Sequence, residues 1–323
     1  MHVGIRLRVI RSSGDDRPLK ELYQDAFDRA VLLEQLGYDF AMATEHHFMA
    51  NQWNPSPLLL LAGVARQTSV LNLGTNVLLT PLYHPVRLAE DVAVLDQISN
   101  GRVKVLCCGS ASVTGEFQTL GIAPETRFGR VWETLEIMRR SYSEDAFDYE
   151  GRHYRFPNIR MTTKPIQDPF PLWYGGFGPK MAARCAREGY HYDGPIGVFV
   201  DELKKVGRDP RSINIGYGDQ DDFYVVASEK DVPAAREKVK AAQADHAAEY
   251  NERGRDLAFQ YIRPGARQRE PLVGTPDQLL TALEPELKET IATHFRVDGE
   301  SWQLELIAKE MLPTLKSWGR EPI

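Results

Sequence analysis

Cysteine is scarce. Three cysteines in 323 residues (Cys107, Cys108 and Cys185) make no Cys-x-x-Cys pair and cannot staple a chain of this length. That usage points to a reducing, cytoplasmic setting. Long apolar runs are missing too. The longest, Leu58 to Val64, falls far short of the ~20 residues needed to span a bilayer. The first residues, Met1 to Arg8, alternate and carry arginines, so no signal peptide and no membrane span are expected. There is no basic surplus: 39 Lys and Arg stand against 45 Asp and Glu, a net charge of −6, which gives no footing on nucleic acid. A small anion held by local groups stays compatible with that balance. Several chemical signatures are also absent. No Walker loop and no Gly-x-Ser-x-Gly elbow occurs, and the adjacent His46 and His47 lack the i, i+4 spacing of a zinc-protease helix. Gly176-Phe177-Gly178 is followed by Met181 where a dinucleotide fingerprint needs its third glycine.

What is present is alternation. With 42% hydrophobic and 26% charged residues the chain is globular, not disordered or collagen-like. Apolar strand patterns fit His2–Ile10, Tyr38–Thr44, Leu71–Leu79, Val103–Cys108, Leu172–Tyr174, a weak Tyr192–Phe199, Phe223–Ala227 and Thr293–Val297. Helical stripes separate them, opened by Asn54-Pro55, Pro85, Pro124, Pro179 and the capping-box string Thr275-Pro276-Asp277-Gln278. About eight strand–helix alternations predict a single (β/α)8 TIM barrel covering residues 1–323. Residues 143–171 interrupt the pattern with a hairpin signal around Asp148–Tyr154 and four prolines, and read as an excursion. The charged helix from Val232 to Arg253 reads as a solvated face on an alanine ridge, and Asp221-Asp222 as solvated loop.

In a barrel the chemistry sits at the carboxyl ends of the strands. Four places qualify. Glu45-His46-His47-Phe48 offers two histidines pointing opposite ways, suited either to acid–base work or to a satisfied polar cluster. Gly74-Thr75-Asn76-Val77 suits either ordinary strand packing or close backbone approach to a planar ligand. Of Cys107 and Cys108, before Gly109-Ser110, one side chain can face the barrel mouth, or both are small buried hydrophobes. Trp173-Tyr174-Gly175-Gly176-Phe177-Gly178-Pro179 is a glycine-rich strand-to-helix turn, where free N–H groups favour a mononucleotide phosphate.

Taken together, these strings resemble the bacterial-luciferase-like superfamily of flavin-dependent monooxygenases. The resemblance extends through Leu71-Asn72-Leu73-Gly74-Thr75, Tyr149-Glu150-Gly151-Arg152-His153-Tyr154, Val273-Gly274-Thr275-Pro276 and Met311-Leu312-Pro313. It is most specific in the block from His84-Pro85 to Gly101-Arg102. It implies a usually dimeric barrel that binds FMN, whose reduced form activates O2 as a C4a-hydroperoxide to oxygenate a small organic substrate. With no nicotinamide fingerprint, reduced flavin is expected from a separate reductase. The resemblance assigns His46 as the catalytic histidine, Asn76-Val77 as the flavin-supporting bulge (often a cis peptide) and Cys108 as the cysteine near the flavin ring. Tyr174 and Gly175 to Gly178, including Phe177, become the phosphate turn. Gly109 stands where luciferases carry a phosphate-binding arginine, which leaves backbone or Ser110 for that contact. An F420-dependent oxidoreductase of the same superfamily and a non-catalytic flavin-binding protein are the alternatives.

Overall fold

The computed structural model describes residues 1–12, 14–110, 114–176, 178–217, 223–252 and 272–323. In chain order its strands are β1 (His2–Leu7), β2 (Phe40–Ala43), β3 (Asn72–Leu79), β4 (Val103–Gly109), β5 (Phe147–Glu150) and β6 (Arg155–Ile159). They continue with β7 (Leu172–Gly175), β8 (His191–Asp193), β9 (Ile215–Tyr217), β10 (Phe223–Val225), β11 (Leu272–Gly274) and β12 (His294–Val297). Eight of these close as a barrel in the order β1-β12-β9-β8-β7-β4-β3-β2, the parallel architecture expected from the alternation.

Two strand assignments change. Tyr192–Phe199 is a strand only to Asp193; Pro195 then caps a helix over Ile196–Lys205, because proline suits a helix start and removes a ladder donor. Phe223–Val225 lies outside the barrel and pairs with β11 in a separate two-stranded sheet. The barrel's seventh strand is instead β9, three residues with a central glycine, too short to show a pattern. Asp221-Asp222 and Arg253 lie outside the described residues. The helix Val232–Glu252 is not wholly solvated: Ala235 and Val239 bury against Val226 and Val273 of the small sheet.

Contacts gather the chain into two compact units. One comprises Leu7–Val31 and Ala41–Gly175; the other comprises Met1–Arg6, Leu32–Phe40 and Gly176–Ile323. In the first, helices Pro57–Gln67, Pro85–Ile98 and Arg127–Ser143 cover the strands. They bury Leu61, Val64, Leu88, Val92, Val131, Leu135 and Met138, each worth ~1.5–3 kcal/mol when removed from water.

The His84–Arg102 block builds this unit. Pro85 takes the first turn of its helix. The Arg102 guanidinium then donates to the carbonyls of Ala65, Thr68, Leu71 and Ser99, satisfying chain-end acceptors that helix geometry leaves open. Buried Asp96 accepts the backbone N–H groups of Ile166 (2.8 Å) and Gln167 (3.2 Å), and so anchors the end of the 143–171 excursion. The excursion contains the expected hairpin, β5 paired antiparallel with β6. Its turn is pinned by Glu133, which accepts the N–H groups of Arg152, His153 and Tyr154.

Candidate active site

β2 ends at Ala43, and the residues from Thr44 to Ser56 loop back on themselves before the helix at Pro57. Trp53 Nε1 donates to Thr44 Oγ1 (2.9 Å), Asn54 Nδ2 donates to the Thr44 carbonyl (3.3 Å), and His46 N donates to the Asn54 carbonyl (3.3 Å). The loop is therefore closed by its own polar groups, which fixes where its side chains point. Phe48 sits at its tip, half exposed, with φ of +58°.

Two buried carboxylates divide the two histidines. Glu45 Oε1 accepts the Tyr83 hydroxyl (2.7 Å) and lies 2.8 Å from His47 Nε2, while Oε2 accepts the Leu79 N–H (2.8 Å). Glu116, on the short helix Thr114–Thr119, uses Oε1 for both the His47 N–H (2.7 Å) and His46 Nδ1 (3.1 Å). Its Oε2 is buried and has no hydrogen-bond partner among the described residues. The Trp53 ring stands edge-on to His46, with centroids 4.7 Å apart, and restricts its rotation. Burial and the Glu45 charge together push the Tyr83 phenol well above its ordinary range, so it stays protonated and donates. Among the described residues no three His, Cys, Asp or Glu side chains are grouped to hold a metal.

His47 gives a pH signature. Burial alone lowers its pKa, but the Glu45 hydrogen bond and the charges of Glu45 and Glu116 outweigh that, leaving it raised above the ordinary 6.5. A histidine whose folded pKa is raised adds stability that is complete below its unfolded value and lost as pH rises through the folded one. The stability gap between the protein and His47→Gln should therefore be wider at about pH 5.5 than at about pH 9 in thermal denaturation. A pH-independent gap would remove the charged pair from the picture.

The other expected residues divide by strand face. The Asn76–Val77 peptide is cis, and the β3–β4 register shifts across it, between Asn76 and Leu78. A side chain at Gly109 would meet Val77 Cγ2 at 2.7 Å, and one at Gly175 would meet Val77 Cγ1 at 2.5 Å and Cys107 Sγ at 2.6 Å. Only glycine fits beneath Val77 at both places, so Gly109, Gly175 and Cys107 form a cradle at the carboxyl ends of β4 and β7.

Cys108 points the other way. It shares register with Tyr174, whose ring stacks on Trp132 of the outer helix (4.5 Å), and neighbouring parallel residues in register share a face. Burial pushes the Cys108 thiol up, with a further contribution from Glu45. The cysteine beside Val77 is thus Cys107, and Tyr174 likewise packs toward the helices. Ser110 follows β4 half-buried. Gly176 uses its own backbone, donating to the Asp193 carbonyl (3.0 Å) and accepting the Tyr192 hydroxyl (2.7 Å), so it offers no donor to a phosphate. Gly178 caps the helix Pro179–Glu188 without a side-chain cap. Phe177 lies outside the described residues.

Sequence reasoning missed Glu116, Tyr83 and the part played by Glu45. Glu45 was adjacent to the histidines, but Glu116 is seventy residues from His46 and carries no local signal.

The glycine cradle, the cis peptide and the two-carboxylate, two-histidine loop stand together on one barrel unit. The family model for luciferase-like monooxygenases matches residues 1–294. The chain belongs to the luciferase-like monooxygenase family. Among individual relatives, it is 26% identical over 195 residues to the oxygenase component of flavin-dependent trigonelline monooxygenase of Acinetobacter baylyi (strain ATCC 33305 / BD413 / ADP1), covering 59% of this chain and 54% of that one. It is 24% identical over 325 residues to an F420-dependent glucose-6-phosphate dehydrogenase of Amycolatopsis mediterranei (strain U-32), covering 92% and 96%. The monooxygenase RslO1 from Streptomyces bottropensis superposes with a TM-score of 0.76 at 23% identity, over 97% of this chain and 99% of that one, which shows the shared fold. The chain spans about half the length of the first curated relatives it matches. No helix among the described residues is long and apolar enough to cross a membrane.

Proposed function

We propose that this family member is an FMNH2-dependent monooxygenase that oxygenates a small organic substrate with O2. The observation that carries this reading is His46, held by Glu116 and Trp53 at the carboxyl end of β2 in the unit that also bears the Val77–Gly109–Gly175 cradle. The likeness to a trigonelline monooxygenase supports it, and that relative's designation as an oxygenase component supports a separate reductase as the source of reduced flavin.

The residues present suit a flavin. Two glycines where any Cβ would strike Val77 keep the strand ends low beside the cis peptide, and an unpartnered Glu116 oxygen awaits a donor. Bound FMNH2 would supply the electrons that activate O2. Asn76, Val77 and Cys107 would support the ring, and Ser110 and Gly175 at the carboxyl ends of β4 and β7 would lie toward the phosphate. His46 holds or accepts a proton beside the reacting atoms, and the Trp53 indole keeps water from it. Three buried thiols suit a reducing cytoplasm. A homodimer through helices Pro57–Gln67 and Pro85–Ile98 would cover exposed Leu59, Val94 and Ile98.

One observation favours a second reading. The match to an F420-dependent dehydrogenase runs over nearly the whole chain, so hydride transfer with F420 and without O2 is the alternative. Anaerobic titration with reduced FMN and reduced F420, each followed by mixing with O2, separates them. Saturable binding of reduced FMN, with an absorbance course on O2 addition that free FMNH2 lacks, is expected. F420 binding with no response to O2 would favour the second reading. Flavin bound with the course of free flavin would mark a carrier instead.

A further inference from the structure

We infer that Glu116 is a positioning residue that fixes the proton of His46 on Nδ1 and thereby presents Nε2 as the reacting nitrogen. This rests on the reading of His46 as the acid–base group. A backbone N–H can only donate, and Glu116 Oε1 accepts that of His47 at 2.7 Å, so this oxygen is an acceptor. The 3.1 Å contact of the same oxygen with His46 Nδ1 then needs its proton on the nitrogen. Which ring nitrogen of a neutral histidine carries the proton is set by the partner of the other. Here that partner is a carboxylate on a different helix, and the ring cannot turn away. His46 N is tied to the Asn54 carbonyl, and Trp53 stands 4.7 Å from the ring. Among the described residues, the charged group in contact with His46 is Glu116 from the helix Thr114–Thr119, whose Oε1 also accepts the His47 N–H; the His47 ring itself pairs with Glu45.

The other Glu116 oxygen shows that this carboxylate is not kept for stability. Oε2 is buried without a partner among the described residues, a condition that costs stability instead of adding it. A glutamine preserves the acceptor at Oε1 and removes the charge. Glu116 therefore does for His46 what a carboxylate does in any acid–base pair: it selects the tautomer and stabilises the imidazolium when a proton arrives.

Long-range 1H–15N NMR of the ligand-free protein reads the tautomer without any cofactor. The proton of neutral His46 is expected on Nδ1, retained there in Glu116→Gln, and moved toward Nε2 in Glu116→Leu. Glu116→Gln should melt no lower than the parent while its turnover falls about tenfold or more and KM for reduced flavin changes less than about threefold. A parent His46 protonated on Nε2 overturns the assignment, as does a Glu116→Leu protein whose His46 proton stays on Nδ1. The NMR result stands whether or not the flavin reading survives. Unchanged turnover in His46→Ala would sink the acid–base reading alone.

Discussion

Replacing His46 by alanine is expected to cut turnover ~10²–10³-fold, the range that a positioned acid–base group supplies. Flavin affinity should change far less, because the cradle formed by Val77, Gly109, Gly175 and Cys107 does not include His46. Single-turnover mixing of protein-bound reduced FMN with O2 and substrate, beside equilibrium titration with FMN, separates the two quantities. A parallel fall in affinity and turnover would make His46 a binding residue. Its neighbour is no substitute: His47 Nε2 is committed to Glu45 on the opposite side of the strand end.

The largest stability effect should come from Glu45→Ala. This carboxylate is saturated in a buried site, receiving Tyr83 Oη and Leu79 N while pairing with His47. Its removal orphans a backbone N–H, a phenol and a partly buried imidazole whose charge it had favoured. Breaking such a pair from one side costs ~3–5 kcal/mol, because the partner stays behind uncompensated. The unfolding free energy from urea denaturation should fall by that amount, through a lower midpoint with the slope unchanged. A shift below about 1 kcal/mol, the net worth of an ordinary hydrogen bond, would mean water replaces the carboxylate at little cost. Tyr83→Phe, which leaves Glu45 two of its three partners, should cost much less.

The barrel was legible because strand and helix periods alternate along the chain and prolines mark the helix starts at Pro85, Pro179 and Pro276, while the second helix begins at Pro57, two residues beyond the Asn54-Pro55 expected to open it. It was illegible where strands are three residues long. β9 carries no period, whereas the apolar run after Pro195 looked like a strand and became a helix. The family block from His84 to Arg102 proved to be architecture, with Arg102 closing carbonyl ends and Asp96 anchoring the excursion. Its specificity came from geometry that few side chains can satisfy, not from chemistry at the mouth.

The site was half legible. His46 stood out by residue type at a strand end, and the Asn76–Val77 position is cis as the resemblance implied. The cysteine choice was not legible. Which of two adjacent residues faces inward depends on register, and β3–β4 pairing shifts at two places, so counting along β4 could not decide it.

By itself the amino-acid sequence determined the closed parallel barrel, the family and the loop that carries two histidines. These are local or additive properties: period, propensity and composition act within a few residues. Only the tertiary structure decided that Glu116 serves His46 from seventy residues away, that Cys107 and not Cys108 lies under Val77, and that Gly176 has no donor to spare. Each of these depends on which groups distant strands and helices bring within hydrogen-bond or van der Waals reach, and that is settled by packing.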